Sequence, residues 1–177
     1  GIFLLLIPVV LFAGINYLKI RLVASLFNYS TALLIYLIGR RLGNERVGAV
    51  AAIAYMLLMN ATEYFGFLLK TEPISNLFVC AGIYLLLRTD LNYRSHLLSG
   101  VSIGISMMIR QNTGYALLIA GYWIWRTWGY ELKRYVLLAV GVALGFLPFL
   151  IYLVYNGVLF DMLHYTTFGI SDLNNLN

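Results

Sequence analysis

Between Val136 and Tyr155 the chain runs 20 residues without a charge, and between Leu22 and Gly39 it runs 18. At ~1.5 Å of rise per residue either run, wound as a helix, covers a hydrocarbon layer ~30 Å thick. Shorter uncharged runs lie between them. Val47 to Thr62 is rich in alanine, and Pro73 to Leu87 begins with a proline where a helix tolerates one. Leu97 to Ile109 and Thr113 to Trp125 are separated by Arg110, Gln111 and Asn112. With 62% hydrophobic and 11% charged residues, the chain has too little polar surface to cover a water-soluble globule. The reading is an all-α, polytopic transmembrane helix bundle in one domain over residues 1–177. It has about six spanning helices, plus an N-terminal juxtamembrane or short spanning helix over Gly1 to Tyr17 that carries Pro8 and Gly14.

The net charge of +5 does not indicate nucleic acid, because the 12 Lys and Arg stand in small clusters between apolar runs and form no basic face. They carry topology information instead. If Leu97 to Trp125 is a tight hairpin, Arg40, Arg41, Arg46, Arg88, Arg94, Arg126, Lys133 and Arg134 share one side of the membrane. Lys19, Arg21, Lys70 and Arg110 share the other. A single long helix there would spoil this asymmetry, which makes the cation-rich side cytoplasmic. Trp123, Trp125 and Trp128 beside Arg126 read as an interfacial aromatic belt, and Pro148 inside the last run predicts a kink.

One cysteine, Cys80, excludes an internal disulfide, and His96 and His164 have no ligand-spaced neighbours, so no metal site and no cofactor is indicated. Gly100 with Gly104 and Gly141 with Gly145 are spaced for close helix approach, for which packing is a sufficient reason. Asn28, Asn44, Asn60, Asn76 and Asn92 recur every 16 residues, but the residues between them do not match and the spacing reads as coincidence. Gly1 has no basic region ahead of the first apolar run, which suggests a piece of a longer chain.

The chemistry gathers in the stretch Asn60 to Pro73, where Glu63, Lys70 and Glu72 lie between two apolar runs. A charge left in lipid costs ~2.5–3.5 kcal/mol on insertion scales, so these need water or a polar cavity. The cation-poor face collects Lys19, Arg21, Glu63, Lys70, Glu72, Arg110, Gln111, Asp161 and His164. Cations at a membrane surface suit a phosphate, and a carboxylate suits a sugar hydroxyl or a proton transfer. Plainer readings stand beside these: Glu72 as a carboxylate at a helix N-terminus, Arg110 as a snorkelling arginine at a hairpin tip, Lys19 and Arg21 as headgroup anchors. Lys70 and Glu63 also read as a solvated pair, His164 as a surface residue and Asp161 as a cap.

In order, these features resemble the membrane region of the polytopic C-type glycosyltransferases, the family of dolichyl-phosphate-mannose protein mannosyltransferases and lipid A aminoarabinose transferases. The residues are Gly14 to Leu22 leading to Arg21, Gly39-Arg40-Arg41-Leu42-Gly43 at the cytoplasmic turn, Glu72-Pro73, and Gly100 to Gly104 running to Arg110. Glu72 stands where Asp is more usual, and Arg110 where many members have Lys. The resemblance implies an inverting glycosyltransferase of the hexosyl or pentosyl class with a sugar on a polyprenyl phosphate, dolichyl or undecaprenyl, as donor. The acceptor would be attacked on the exoplasmic face. Arg21 and Arg110, with Lys19, would hold the lipid phosphate and Glu72 would play a supporting catalytic part, while Glu63, Lys70 and Gln111 would be further substrate contacts. The family's principal acidic base would lie upstream of Gly1, and its C-terminal region beyond the chain. The bilayer and the lipid-linked donor are the expected partners, in the plasma membrane of a prokaryote ahead of the endoplasmic reticulum. A lipid-linked saccharide flippase is the alternative, which would set charges at the midplane with an internal repeat. A purely structural subunit would need no acid and arginines on one face.

Overall fold

The computed structural model describes residues 17–61, 71–88 and 93–160, and every regular element among them is helical. Six helices follow in order: α1 Tyr17–Leu42, α2 Glu45–Ala61, α3 Thr71–Leu87, α4 Tyr93–Ile109, α5 Tyr115–Trp128 and α6 Leu132–Tyr155. A 3-10 turn, Gln111–Gly114, joins α4 to α5. Most helices extend past the uncharged runs into flanking polar residues, because a backbone hydrogen-bond ladder does not stop where hydrophobicity stops. Residues 1–16 lie outside the described residues, and with them most of the expected N-terminal helix.

Local chemistry fixes the joints. The Asn44 side chain accepts a hydrogen bond from the Val47 N–H at 3.0 Å, capping α2 at the Gly43-Asn44 turn. Just before that turn α1 and α2 touch backbone to backbone, since a Cβ on Gly39 would lie 2.7 Å from the Gly48 Cα. Two turns further in, the Tyr55 hydroxyl of α2 donates to Asn28 Oδ1 of α1 at 3.3 Å and also reaches Thr31 and Asn76. Arg41 at the end of α1 donates to the Leu87 carbonyl at the end of α3, at 2.8 Å. Helices α1 and α3 are therefore parallel, with α2 running back between their ends. Asn28, Asn44 and Asn76 have unlike roles, as expected of a recurrence without a repeat.

Helix α4 is packed on two faces by small residues. Toward the antiparallel α3, Ser99, Ser102 and Ser106 donate to the carbonyls of Gly82, Phe78 and Ser75, at 2.8, 2.8 and 3.0 Å. Toward the parallel α6, Gly100 opposes Gly141 and Gly104 opposes Gly145. A Cβ on Gly100 would come within 2.9 Å of the Gly141 Cα, and one on Gly104 within 3.1 Å of the Gly145 Cα, so no side chain fits between the helices there. The expectation of close approach at these glycines holds, and they meet one another.

The choice between one helix and a hairpin over Leu97 to Trp125 falls to the hairpin. Helix α4 ends at Ile109, Arg110 is extended with φ −145° and ψ 112°, and α5 folds back along α4. Near the turn Met107 faces Gly114, and at the far end the His96 and Trp128 rings meet edge to face at 5.1 Å. Val79, Leu86, Ile103, Ala116, Ala120, Ile124 and Leu138 form the shared core. Helix α6 runs unbroken through Pro148.

The outward face of this bundle is apolar. Leu22, Leu26 and Leu33 of α1, Val50, Ile53 and Leu57 of α2, and Val140, Leu144, Leu147 and Ile151 of α6 are all exposed, while serines, Asn28 and Thr31 are buried. Contiguous apolar surface on this scale is a liability in water. Two helices, Arg21–Leu42 and Leu132–Tyr155, are long and apolar enough to cross a membrane, and Thr71–Leu87 is apolar but shorter.

Candidate functional site

Because the helices alternate in direction, the charges sort to two ends. Eleven of the twelve Lys and Arg fall on described residues, and Lys70 does not. One end holds Arg40, Arg41, Arg46, Arg88, Arg94, Arg126, Lys133 and Arg134, and the other holds Lys19, Arg21 and Arg110. The cation-poor end carries the site.

There Glu72 in the first turn of α3 meets Arg110 just past the end of α4, with Glu72 Oε1 3.2 Å from Arg110 Nη1. Each charge suits its helix, since an N-terminus favours an anion and a C-terminus a cation. Pro73 is buried beside the carboxylate, where its missing N–H costs no helical bond. The Thr71 hydroxyl donates to Glu72 Oε2 at 3.3 Å. Arg110 is held at both ends of its own peptide. Its N–H donates to the Ser106 carbonyl at 2.9 Å, and its carbonyl accepts from Thr113 Oγ1 at 2.7 Å and from the Thr113 N–H at 3.1 Å. Thr113 escapes a search for ionisable groups, although a threonine three residues after a helix end is a recognisable turn former.

The pair is not sealed. The Arg110 and Glu72 side chains are 41% and 26% exposed, and an exposed ion pair contributes only ~0–1 kcal/mol. A guanidinium held this weakly can exchange its carboxylate for another oxyanion at little cost, and presents the planar fork that phosphate oxygens accept.

Of the other expected members, Arg21 stands in the second turn of α1 at this same end, seven residues before Asn28, whose neighbourhood reaches Asn76 on α3. Lys19 is exposed two residues earlier, and Gln111 is exposed beside Arg110. The structure thus joins Glu72 and Arg110 directly and sets Arg21 and Lys19 at the same end by helix register. Glu63, Lys70, Asp161 and His164 lie outside the described residues. Among the described residues no three of His, Cys, Asp and Glu come together in a way that could hold a metal ion.

The opposite end is built differently. Glu131 accepts from the Tyr93 hydroxyl at 2.9 Å and from Arg134 Nε at 2.5 Å. The Arg134 guanidinium lies 4.5 Å from the Trp128 ring centre and 5.2 Å from that of Tyr93, and the Lys133 ammonium lies 3.9 Å over Tyr93. These contacts hold the Glu131 carboxyl below the usual carboxylate range, the Arg134 hydrogen bond first among them. His96 is fully buried with no hydrogen bond at either ring nitrogen.

Comparison with curated proteins and with solved structures finds no match. The model of one sequence family, the dolichyl-phosphate-mannose-protein mannosyltransferases, matches residues 2–155. That span takes in Arg21, Glu72, Arg110 and all six helices, and the chain belongs to this family.

Proposed function

We propose that this chain is the membrane core of an inverting glycosyltransferase, which moves a sugar from a polyprenyl phosphate to an acceptor on the exoplasmic face. The observation that carries the reading is the Glu72–Arg110 pair at the cation-poor end, in a chain of this family. In the reaction the anomeric C–O bond to phosphate breaks as the acceptor oxygen bonds that carbon from the opposite side. The lipid phosphate leaves with an added negative charge. Arg110, with Arg21 and Lys19 at the same end, would meet that charge as it develops, which is where preorganised cations contribute most to rate. Glu72 would release Arg110 to the phosphate and orient a sugar or acceptor hydroxyl. The acceptor proton passes to a general base as that bond forms.

The cation-rich end would then face the cytoplasm, and the six helices would cross the bilayer in turn as one transmembrane domain, in a prokaryotic plasma membrane. A flippase is disfavoured by the position of the charges, which cap helices at the ends of the bundle and do not sit on broken helices at mid-depth. The test is transfer of radiolabelled sugar from polyprenyl-phosphate donors in membranes carrying this protein. Arg110→Ala should lower transfer by about 10²–10³-fold, in line with loss of one oxyanion-stabilising donor, and Glu72→Gln should lower it as well while the protein still inserts. If both variants transfer like wild type, the site is elsewhere. If no donor gives transfer but labelled lipid changes leaflet, the transporter reading takes over.

A further inference from the structure

The pair just described is too weak to set its own geometry. An exposed contact of ~0–1 kcal/mol cannot fix how far α4 slides against α3. Something buried must do so, and the interhelical hydrogen bond next to the site runs between Ser106 and Ser75. Ser106 Oγ donates to the Ser75 carbonyl at 3.0 Å, and both side chains are fully buried. Ser75 Oγ in turn donates to the Glu72 carbonyl at 3.1 Å, and the Arg110 N–H donates to the Ser106 carbonyl at 2.9 Å. With the Glu72–Arg110 contact at 3.2 Å these bonds close a ring, from carboxylate to guanidinium, down the backbone of α4, across to α3 and back.

We infer that Ser106 and Ser75 are positioning residues which hold α4 and α3 in the register that brings Arg110 to Glu72. This rests on the reading of that pair as the phosphate-binding site. A serine hydroxyl inside a helix ordinarily bonds back to its own preceding turn. Here Ser99, Ser102 and Ser106 all cross to α3 instead, each to a carbonyl with a second lone pair to give. A slip of one helical turn moves α4 by ~5.4 Å, changes the carbonyl that each serine faces and carries the guanidinium out of reach of the carboxylate. Ser106 differs from Ser99 in where its bond lands. Ser99 sits seven residues back, ~10 Å further from the site along the helix, and holds the same pair of helices without touching the turn that carries Glu72.

The experiment compares Ser106→Thr with Ser106→Val, which are alike in volume and differ by the hydroxyl, with Ser99→Ala as a remote control, in the membrane-embedded protein. Misplacement by a fraction of an ångström should lower kcat of sugar transfer about tenfold in Ser106→Val with little change in donor KM. Ser106→Thr should keep the wild-type kcat, and Ser99→Ala should lose thermal stability and keep kcat. The register is read separately by electron-spin distances between nitroxides at positions 71 and 111. Ser106→Val should shift or broaden that distance, and Ser99→Ala should leave it sharp. Equal kcat and equal distances for the Thr and Val variants would overturn the inference, as would a kcat loss in Ser99→Ala as large as in Ser106→Val. If no variant and no wild type transfers sugar, the phosphate-site reading fails while the spin distances still decide whether the serines set the register.

Discussion

Two arginine–glutamate pairs stand at opposite ends of this bundle and have little else in common. Arg134 and Glu131 are three residues apart, with the Arg134 side chain only 12% exposed and wedged against Trp128 and Tyr93. Arg110 and Glu72 come from different helices and touch at one nitrogen, with the arginine 41% exposed. The first is redundant, since its charges have aromatic faces and a tyrosine hydroxyl as further partners. The second has few other contacts, and its geometry depends on how α3 and α4 are packed. One pair is built locally with its arginine covered, and the other is built across an interface with its arginine left wet.

The comparison collapses if the spine both ends hang from is removed. Gly104→Leu would drive a side chain into the Val142 backbone, which overpacking alone makes costly by about 3 kcal/mol or more. The expected outcome is loss of folded protein in detergent, judged by size-exclusion profile, and a well-behaved variant would mean the α4–α6 contact is dispensable. A sharper test sets the arginines against each other. Arg134→Ala should lower stability by about 2 kcal/mol, from a charge-assisted hydrogen bond and a cation–π contact, and leave sugar transfer near wild type. Arg110→Ala should cost at most ~1 kcal/mol of stability while transfer falls. Thermal melts beside transfer assays decide, and two variants with the same profile would erase the distinction.

The smallest effect is on pH. The folded Glu131 carboxyl titrates below its ordinary value of 4.5, held there first by the Arg134 hydrogen bond and then by that of Tyr93. Between those two values the unfolded chain binds a proton that the folded chain does not, so stability falls as pH drops below about 4.5 and levels off under the folded value. Melting temperature should decline over that acidic window, and Glu131→Gln should flatten the decline. A flat wild-type curve would show that this end does not sense the proton.

Much of this arrangement was legible from residue order. The two long uncharged runs became α1 and α6, the sorting of cations followed from alternating direction, and Glu72 and Arg110 stood out because charges between apolar runs need a reason. The serine contacts were not legible. Ser99, Ser102 and Ser106 look like ordinary small residues in a glycine-rich helix, and only the position of α3 shows that their hydroxyls cross over. His96 has no ligand-spaced neighbours in the sequence, which says nothing of a ring buried against Trp128. The contacts of Asn28 and Asn76 depend on how α1, α2 and α3 meet, which residue order does not show.

Helix α4 meshes with neighbours on two sides, serines on α3 and glycines on α6. Adding or deleting one residue within it would turn everything beyond that point by about 100°, and neither set of teeth would then engage. Length changes are tolerable only where no such gearing exists. Substitution can work through α4 one position at a time, but its count of residues is frozen.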